Sequence, residues 1–465
     1  MKRWLFAFLV SIIVCYIWCP LGLGQQDQND QTFTMALTGD SIISRRLSVY
    51  QEPEFLEMIE LIRSADAAFT NLETLFHDYE AYPMHQSGGT YMRAEPALAK
   101  ELVWAGFDMV ARANNPSADY GVLGMHLTTK HLEEAGLVHA GVGNSLAEAR
   151  EAKFLETAQA RLALISCAST FPDHGRAGKS RGDIPARPGL NPLRYKRTYV
   201  VTEEQFKTLR QLRDDLGPQP QEEMEEKDRL QFLRSSFEKG EKTDVRTEVN
   251  KEDLEEMAAV VRNASRLADL TVVSVHGHER AKSRYVPAGF LIEFARAMID
   301  TGADVYVGHG SHVLWGIEIY KGKPIFYGLG NFIFQNETLL RLPEENYERY
   351  NLGPEKHVAD FNDARYDFDK RGFPAQAEYW ESVIAVPRWN GKKLVGIKLY
   401  PIILGHGKSR QDRGRPLLAG PEMGAKIIEK LRRLSEPYGT TIEFQDGIGV
   451  VKINSMGSAL ELGQK

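Results

Sequence analysis

A chain of 465 residues, 43% hydrophobic and 26% charged, carries enough apolar material for one large domain with insertions, or for two domains. Its net charge of -6 and the lack of a long Lys/Arg stripe give no reason to expect nucleic acid as a partner. Of its cysteines only Cys167 lies in the body of the chain, which leaves no intramolecular disulfide and suggests a buried, inert thiol.

The N-terminus has a basic head, Lys2-Arg3, an apolar run from Trp4 to Trp18, and small residues at Gly22 and Gly24 before polar Gln25. This fits a secretory signal over residues 1–24, cleaved after Gly24. Trp4 to Leu23 is also nearly long enough for a retained membrane anchor. Either way the body is expected outside the cytoplasm, in the periplasm or on the outer face of the membrane.

Thr32 to Thr38 (TFTMALT) reads as a first core strand that delivers Gly39-Asp40 at its end. Glu52 to Ser64 has helical periodicity, and the short strand Ala67 to Thr70 leads into Asn71-Leu72-Glu73. A helix over Ala97–Ala105 and a strand over Asp108–Ala111 precede Asn114-Asn115-Pro116, where proline suits the first position of a helix. A helix over Gly124–Ala135 and a strand over Ala160–Cys167 follow. That alternation predicts an α/β fold with a mostly parallel sheet. Ala168 to Pro192 reads as a long loop. Thr202 to Arg266 is densely charged and is expected to be an inserted helical hairpin, broken at Pro218 and Pro220, with Gly240 to Thr247 as a solvated link.

Leu270 to Val275 (LTVVSV) is as apolar as a central parallel strand and ends at His276-Gly277-His278-Glu279. After a helix over Ala288–Asp300, the strand Val305–Val307 runs into Gly308-His309-Gly310-Ser311-His312. Gly316 to Tyr320 and Pro324 to Phe334 read as a hairpin about Lys321-Gly322-Lys323. Later elements are a strand pair, Glu381–Pro387 and Leu394–Pro401, turned at Asn390-Gly391, a helix over Glu422–Leu434 and a strand near Ile448–Ile453.

Each polar strand end has an ordinary reading as a turn, a cap or a surface imidazole. Five in succession on one sheet edge make coincidence harder to sustain. An Asp, a Glu able to bridge, an amide oxygen and several imidazoles suit one or two Mn, Fe or Zn ions, and a two-metal clamp suits in-line displacement at phosphorus.

The segments Gly39-Asp40, Asn71-Leu72-Glu73, Asn114-Asn115 with Asp119-Tyr120-Gly121, His276 with Glu279, and GADVYVGHGSHVLWGIEIYKGKPIFYGLGNFIF resemble the CapA-type capsule and poly-γ-glutamate synthesis proteins, relatives of the calcineurin-like metallophosphoesterases. The resemblance covers about Phe33 to Phe334. It implies a four-layer α/β/β/α sandwich over residues 32–335, interrupted by the charged insertion (about 202–266) and completed by a C-terminal extension, 336–465. It also implies a role in making or exporting an anionic polymer, alongside a membrane synthase or export complex. By the same resemblance Asp40, Glu73, Asn115, His276, His309 and His312 would hold metal. The sequence departs from the pattern twice. The first motif, Asp40-Ser41-Ile42, lacks the superfamily's histidine, and Pro116 replaces the histidine that protonates the leaving group in hydrolases. Asp119 and His278 are the catalytic candidates that remain. Two functions follow from different classes: a metal-dependent hydrolase of a phosphoester or of an amide in the polymer, or a non-catalytic accessory of a polymer synthase. Arg45, Arg46, Arg93, Arg112 and Arg280 are candidates for an anionic substrate, or ordinary surface charges.

Overall fold

The computed structural model describes residues 32–217 and 227–453. The proposed signal, 1–24, and the helix-breaking Pro218 and Pro220 lie outside them. The described chain is mixed α/β, with two large sheets.

The first sheet begins with β1 (Thr32–Ile42), α1 (Pro53–Arg63), β2 (Ala67–Leu72), α2 (Ala99–Ala105), β3 (Met109–Ala111), α3 (Gly121–Ala135) and β4 (Val138–Ala140). The four strands are parallel neighbours, with Met35 opposite Ala67, Phe69 opposite Met109 and Met109 opposite Val138. In α1 Pro53 sits in the first turn, where its missing N–H is harmless, and Phe55, Met58, Ile59 and Ile62 form the buried stripe.

The second sheet opens with an edge strand, Lys153–Glu156, antiparallel to β5 (Arg161–Ala168), after which the insertion departs through β6 (Tyr195–Val201) and α4 (Glu203–Leu216). The expected helical hairpin is only half right. Between α4 and the later helix lie β7 (Arg229–Phe232), β8 (Ser235–Lys239) and β9 (Asp244–Val249), which with β6 make a four-stranded sheet. The period-two signal was present: Leu230 and Phe232 are buried while Arg229 and Gln231 are exposed, and the stretch read as a solvated link is largely β9. High charge density obscured it. After α5 (Lys251–Ala264) the sheet resumes with β10 (Leu270–His276), α6 (Gly289–Thr301) and β11 (Val305–His309). β10 is central and parallel to both neighbours, with Val272 opposite Leu164 and Val305, and His276 opposite His309.

The hairpin after β11 is shorter than read from sequence. β12 (Ile317–Tyr320) pairs with β13 (Lys323–Phe326), but β14 (Asn331–Phe334) leaves for the first sheet and lies parallel to β1. Gly330, with φ of 72°, makes the crossing, and the Ser382 hydroxyl donates to the Leu329 carbonyl there. Beyond it, β15 (Glu381–Asn390) and β16 (Lys393–Ile403) pair antiparallel about Asn390-Gly391, and β15 lies antiparallel to β1. The helix α7 (Pro421–Ser435) and the short pair β17 (Ile442–Gln445) and β18 (Ile448–Val451) close the described chain.

Alternation along the strands sorts the cores. Met35, Leu37, Leu164, Val272, Val305 and Val307, from both sheets, share one buried cluster. Ala36, Ala68 and Val110 turn to Phe55, Met58 and Leu102 of α1 and α2. Ala163, Val273 and Val275 turn to Met257 and Val261 of α5 and to Phe290 and Phe294 of α6. β2, β10 and β11 are buried along their whole length, so polar side chains collect at the strand ends, and those ends carry the site.

Candidate metal centre

β1 positions its carboxylate with a bulge. Leu37 opposes Phe69 and Asp40 opposes Asn71, so β1 holds one extra residue between them. A bulge of this kind re-aims a side chain at a sheet edge. Asp40 is fully buried, and its Oδ1 accepts from Asn71 Nδ2 at 2.9 Å while its Oδ2 accepts from the Gly310 amide at 3.0 Å. Three imidazoles approach it: His309 Nδ1 at 3.5 Å and His276 Nδ1 at 4.0 Å from Oδ1, and His312 Nδ1 at 3.4 Å from Oδ2. Glu73, from the end of β2, brings Oε1 to 3.7 Å from His312 Nε2 and 4.0 Å from His276 Nε2.

His276 and His278 bring their Nε2 atoms within 3.0 Å of each other. His312 takes φ of 54°, an uncommon conformation for a non-glycine residue, and its Nδ1 lies 2.8 Å from Asn331 Oδ1. Gly310 is needed on both counts a glycine can be: φ is 86°, and a Cβ there would lie 2.8 Å from His278 Cδ2 and 2.9 Å from His276 Nε2. Asn114 caps a 3-10 turn over Asn115–Ala118 and exchanges bonds with Ser117, which sets Pro116 inside that turn. Asn114 Nδ2 also donates to Asn71 Oδ1 at 3.2 Å.

Several buried polar atoms end without a hydrogen-bond partner: Glu73 Oε2, Asn115 Oδ1 and both ring nitrogens of His309. Unsatisfied buried acceptors carry a desolvation penalty, and here they converge on one place. Two triads have ligand atoms within 4.8 Å of one another, Asp40 with Glu73 and His276, and Glu73 with His278 and His312. Hard oxygens mixed with imidazole nitrogens fit a divalent first-row ion. The electrostatics fit as well. Burial would raise the Asp40 carboxyl, but His309 and His312 beside it hold it well below the usual range. Burial raises Glu73 to about 8, with His312 opposing it and the Asp40 carboxylate adding to it. Burial pulls His312 down, but Glu73 and Asp40 outweigh it and lift the ring to about 9. Burial, then His278, holds His276 well below its ordinary value, and burial, then His312, lowers His278 to about 3. A dication placed among these groups would take over the charge compensation that the protons on Glu73 and His312 provide.

Asp40, Glu73, His276, His309 and His312 therefore meet and Asn115 joins Glu73 and His312 on the wall of the cavity in front, while the two catalytic candidates do not sit as expected. Asp119 is fully buried, its Oδ1 accepting from the Gly88 amide at 2.8 Å, and it does not line the cavity in front of the centre. Burial keeps its carboxyl well above the usual range. It anchors the 84–89 loop and is shielded from any substrate. His278 does line the cavity, but it is grouped with Glu73 and His312, and burial keeps its ring as the uncharged imidazole, a poor acid. That cavity has a volume of about 410 Å³. Of the arginines singled out from sequence only Arg280 lines it. Arg112 is buried, Arg93 bonds to Asp78 and the His77 carbonyl, and Arg45 bonds to carbonyls of residues 411 and 413. Sequence reasoning missed Arg284, Arg365, Phe373 and Tyr379, which line the cavity from segments without a strand-end pattern. It also passed over Asn331, whose position after Gly330 in the longest motif was the one available signal.

Residues 34–336 match the family described as bacterial capsule synthesis protein PGA_cap. An uncharacterised protein of Sinorhizobium fredii, y4sH, is 39% identical over 436 residues, which is 90% of this chain and 93% of that one. The capsule biosynthesis protein CapA of Bacillus anthracis is 25% identical over 314 residues, 66% of this chain and 61% of that protein. The PGA biosynthesis protein CapA of Bacillus subtilis is 43% identical over a shorter stretch of 82 residues, 18% of this chain and 21% of that protein. The family match spans more than half the chain and includes every residue of the centre, so this chain belongs to the bacterial capsule synthesis protein family.

Proposed function

We propose that the chain is an extracytoplasmic, metal-dependent hydrolase acting on an anionic polymer of the cell envelope, built as the four-layer sandwich of the metallophosphoesterases. The observation that carries this reading is the convergence of unpartnered buried donors, Glu73 Oε2, Asn115 Oδ1 and both His309 nitrogens, at one end of both sheets. Asp40, Glu73, Asn115, His276, His309 and His312 would hold the ion, with His278 as a further ligand from the second triad. A Mn, Fe or Zn ion held there would supply Lewis-acid polarisation of a phosphoryl or acyl oxygen and a lowered pKa for water. The chain's own residues do the rest. Arg280 and Arg365 supply positive charge for an anionic substrate, Asn331 fixes the His312 ring, and the Gly310 amide orients the Asp40 carboxylate.

A second reading, a non-catalytic accessory of a polymer synthase, is favoured by one specific observation. With Pro116 in the turn, Asp119 sealed behind Gly88 and His278 neutral, none of these three serves as an effective acid for a leaving group. General acid catalysis contributes a factor of about 10² to 10⁴, so turnover would be slow even if the centre is loaded. Elemental analysis of the purified full chain with an aryl phosphodiester assay separates the two readings. Stoichiometric metal, with hydrolysis abolished by Glu73→Ala, supports the enzyme. Metal content below stoichiometry and unchanged by His309→Ala with His312→Ala removes it, and full metal with no turnover leaves the accessory role.

A further inference from the structure

Behind the His278 to Arg280 segment lies a second and larger cavity, of about 660 Å³, and both His278 and Arg280 line it as well as the first. The inserted sheet makes one of its walls, through Arg197 and Tyr199 of β6 and residues 244–247 around β9, and the loop carrying Lys282 makes the opposite wall. The segment common to both cavities is held in place. Ser169 and Thr170 hydroxyls donate to Glu279 at 2.5 and 2.8 Å, and Thr170 Oγ1 accepts from the His278 amide at 2.8 Å.

Arg284 of the first cavity pairs with Glu378 at 3.1 Å and Glu279 acts on Arg197 through its charge, while among the described residues the remaining cations along this path meet no protein carboxylate in an ion pair. Among the described residues Arg197, Arg280, Lys282 and Arg365 form no ion pair: Arg365 donates to Thr90 Oγ1 at 2.5 Å and Arg197 to the Tyr195 hydroxyl at 3.2 Å. The acidic groups on the path are engaged instead, Glu279 by the two hydroxyls and Asp244 by the Val245 amide at 2.9 Å. A compact monoester would need the cations of one cavity only. Arg365 in the first cavity and Lys282 in the second, with Arg280 and His278 common to both, match anionic groups repeated along a chain.

We propose that the two cavities form one groove for an extended polycarboxylate that crosses the metal centre, so that the bond hydrolysed lies within the chain and the inserted sheet supplies a second subsite. The proposal rests on the hydrolase reading for the cleavage and on the groove alone for the binding. At an amide link, water's oxygen bonds to the carbonyl carbon, the C–N bond breaks, and the departing nitrogen takes a proton while the carbonyl carbon keeps the hydroxyl. Each exposed charge contributes little by itself, and the contributions add when one chain spans both subsites.

The test uses the full chain loaded with Mn and fluorescently labelled glutamate oligomers, one a dimer and one long enough to fill both cavities, followed by anisotropy. The long oligomer should bind more tightly than the dimer. Arg197→Gln with Lys282→Gln, both at exposed positions, should weaken the long oligomer about tenfold and leave the dimer unchanged. Arg365→Gln should weaken both. Equal affinities for the two oligomers, or an equal loss for both in the Arg197/Lys282 variant, overturns the groove. Anisotropy needs no turnover, so length-dependent binding without any cleavage sinks the hydrolase reading alone. Release of terminal residues only, with length-independent binding, sinks the groove and leaves the hydrolase.

Discussion

Asp119→Asn tests which form of a buried carboxyl the fold holds. Asp119 is fully buried, with Oδ1 on the Gly88 amide and Oδ2 without a partner, and burial raises its pKa well above the usual range. Asparagine keeps the acceptor for Gly88 and places an N–H where the protonated carboxyl holds its O–H. Because the pKa rises on folding, the folded protein retains a proton that the unfolded chain has released. Wild-type stability from this group is therefore fully present below the unfolded pKa and is lost as pH climbs toward the folded one. The loss is about 1.4 kcal/mol per pH unit within that window. Asparagine has no such dependence, so Asp119→Asn should gain on wild type by about 1 kcal/mol per unit from pH 5 upward. Urea unfolding of both proteins in chelator at several pH values measures it. A difference that stays flat with pH refutes the protonated carboxyl. Loaded with metal, the variant should keep wild-type metal affinity and any hydrolysis, and a drop beyond about tenfold would return Asp119 to the reaction itself.

Further predictions concern the loop, the C-terminal network and acid stability. A Cβ on Gly88 would lie 2.2 Å from the Asn115 carbonyl oxygen, so Gly88→Ala should displace Asn115 and lower Mn affinity roughly 10- to 100-fold by calorimetry, with the far-UV spectrum unchanged. Arg413 bonds Glu337 at 2.7 and 2.5 Å and Asp369 at 2.7 Å, and both Arg413 and Glu337 are buried. Arg413→Ala leaves Glu337 paired with Arg410 alone, 3.1 Å away, and should cost about 1–3 kcal/mol in urea unfolding. Burial, then the charges of Arg112 and Lys153, lowers His139 to about 3, and Glu133, 3.7 Å away, is too exposed to reverse it. The folded pKa lies below the unfolded one, so stability from this ring is lost as pH falls below about 6.5, and His139→Gln should flatten that acid limb in thermal melts.

Much of the centre could be read along the chain because it is built from consecutive strand ends. Asp40, Glu73, His276 and His309 each follow an apolar run that can only be a buried strand, and parallel packing brings such ends to one edge. What the sequence hid was direction and depth. Asp119 sits in a matching tripeptide, yet the turn set by Asn114 and Ser117 sends its side chain inward to Gly88. Arg365 and Tyr379 come from a polar segment whose packing depends on long-range contacts with no local period. The strands of the insertion have alternation in only a few residues each, and heavy charge on both faces masked it.

Gly310 reaches Asp40 across 270 residues of chain. At synthesis rates of about 5–20 residues per second, roughly 15 to 55 s separate the emergence of the carboxylate from that of its partners. Throughout that interval β1 waits without β14 and β15, which flank it in the finished sheet, and contacts of such separation form slowly. The centre thus cannot close until Gly310 and His312 have emerged, and on the reading proposed above metal uptake would report that β1 has met the end of β11.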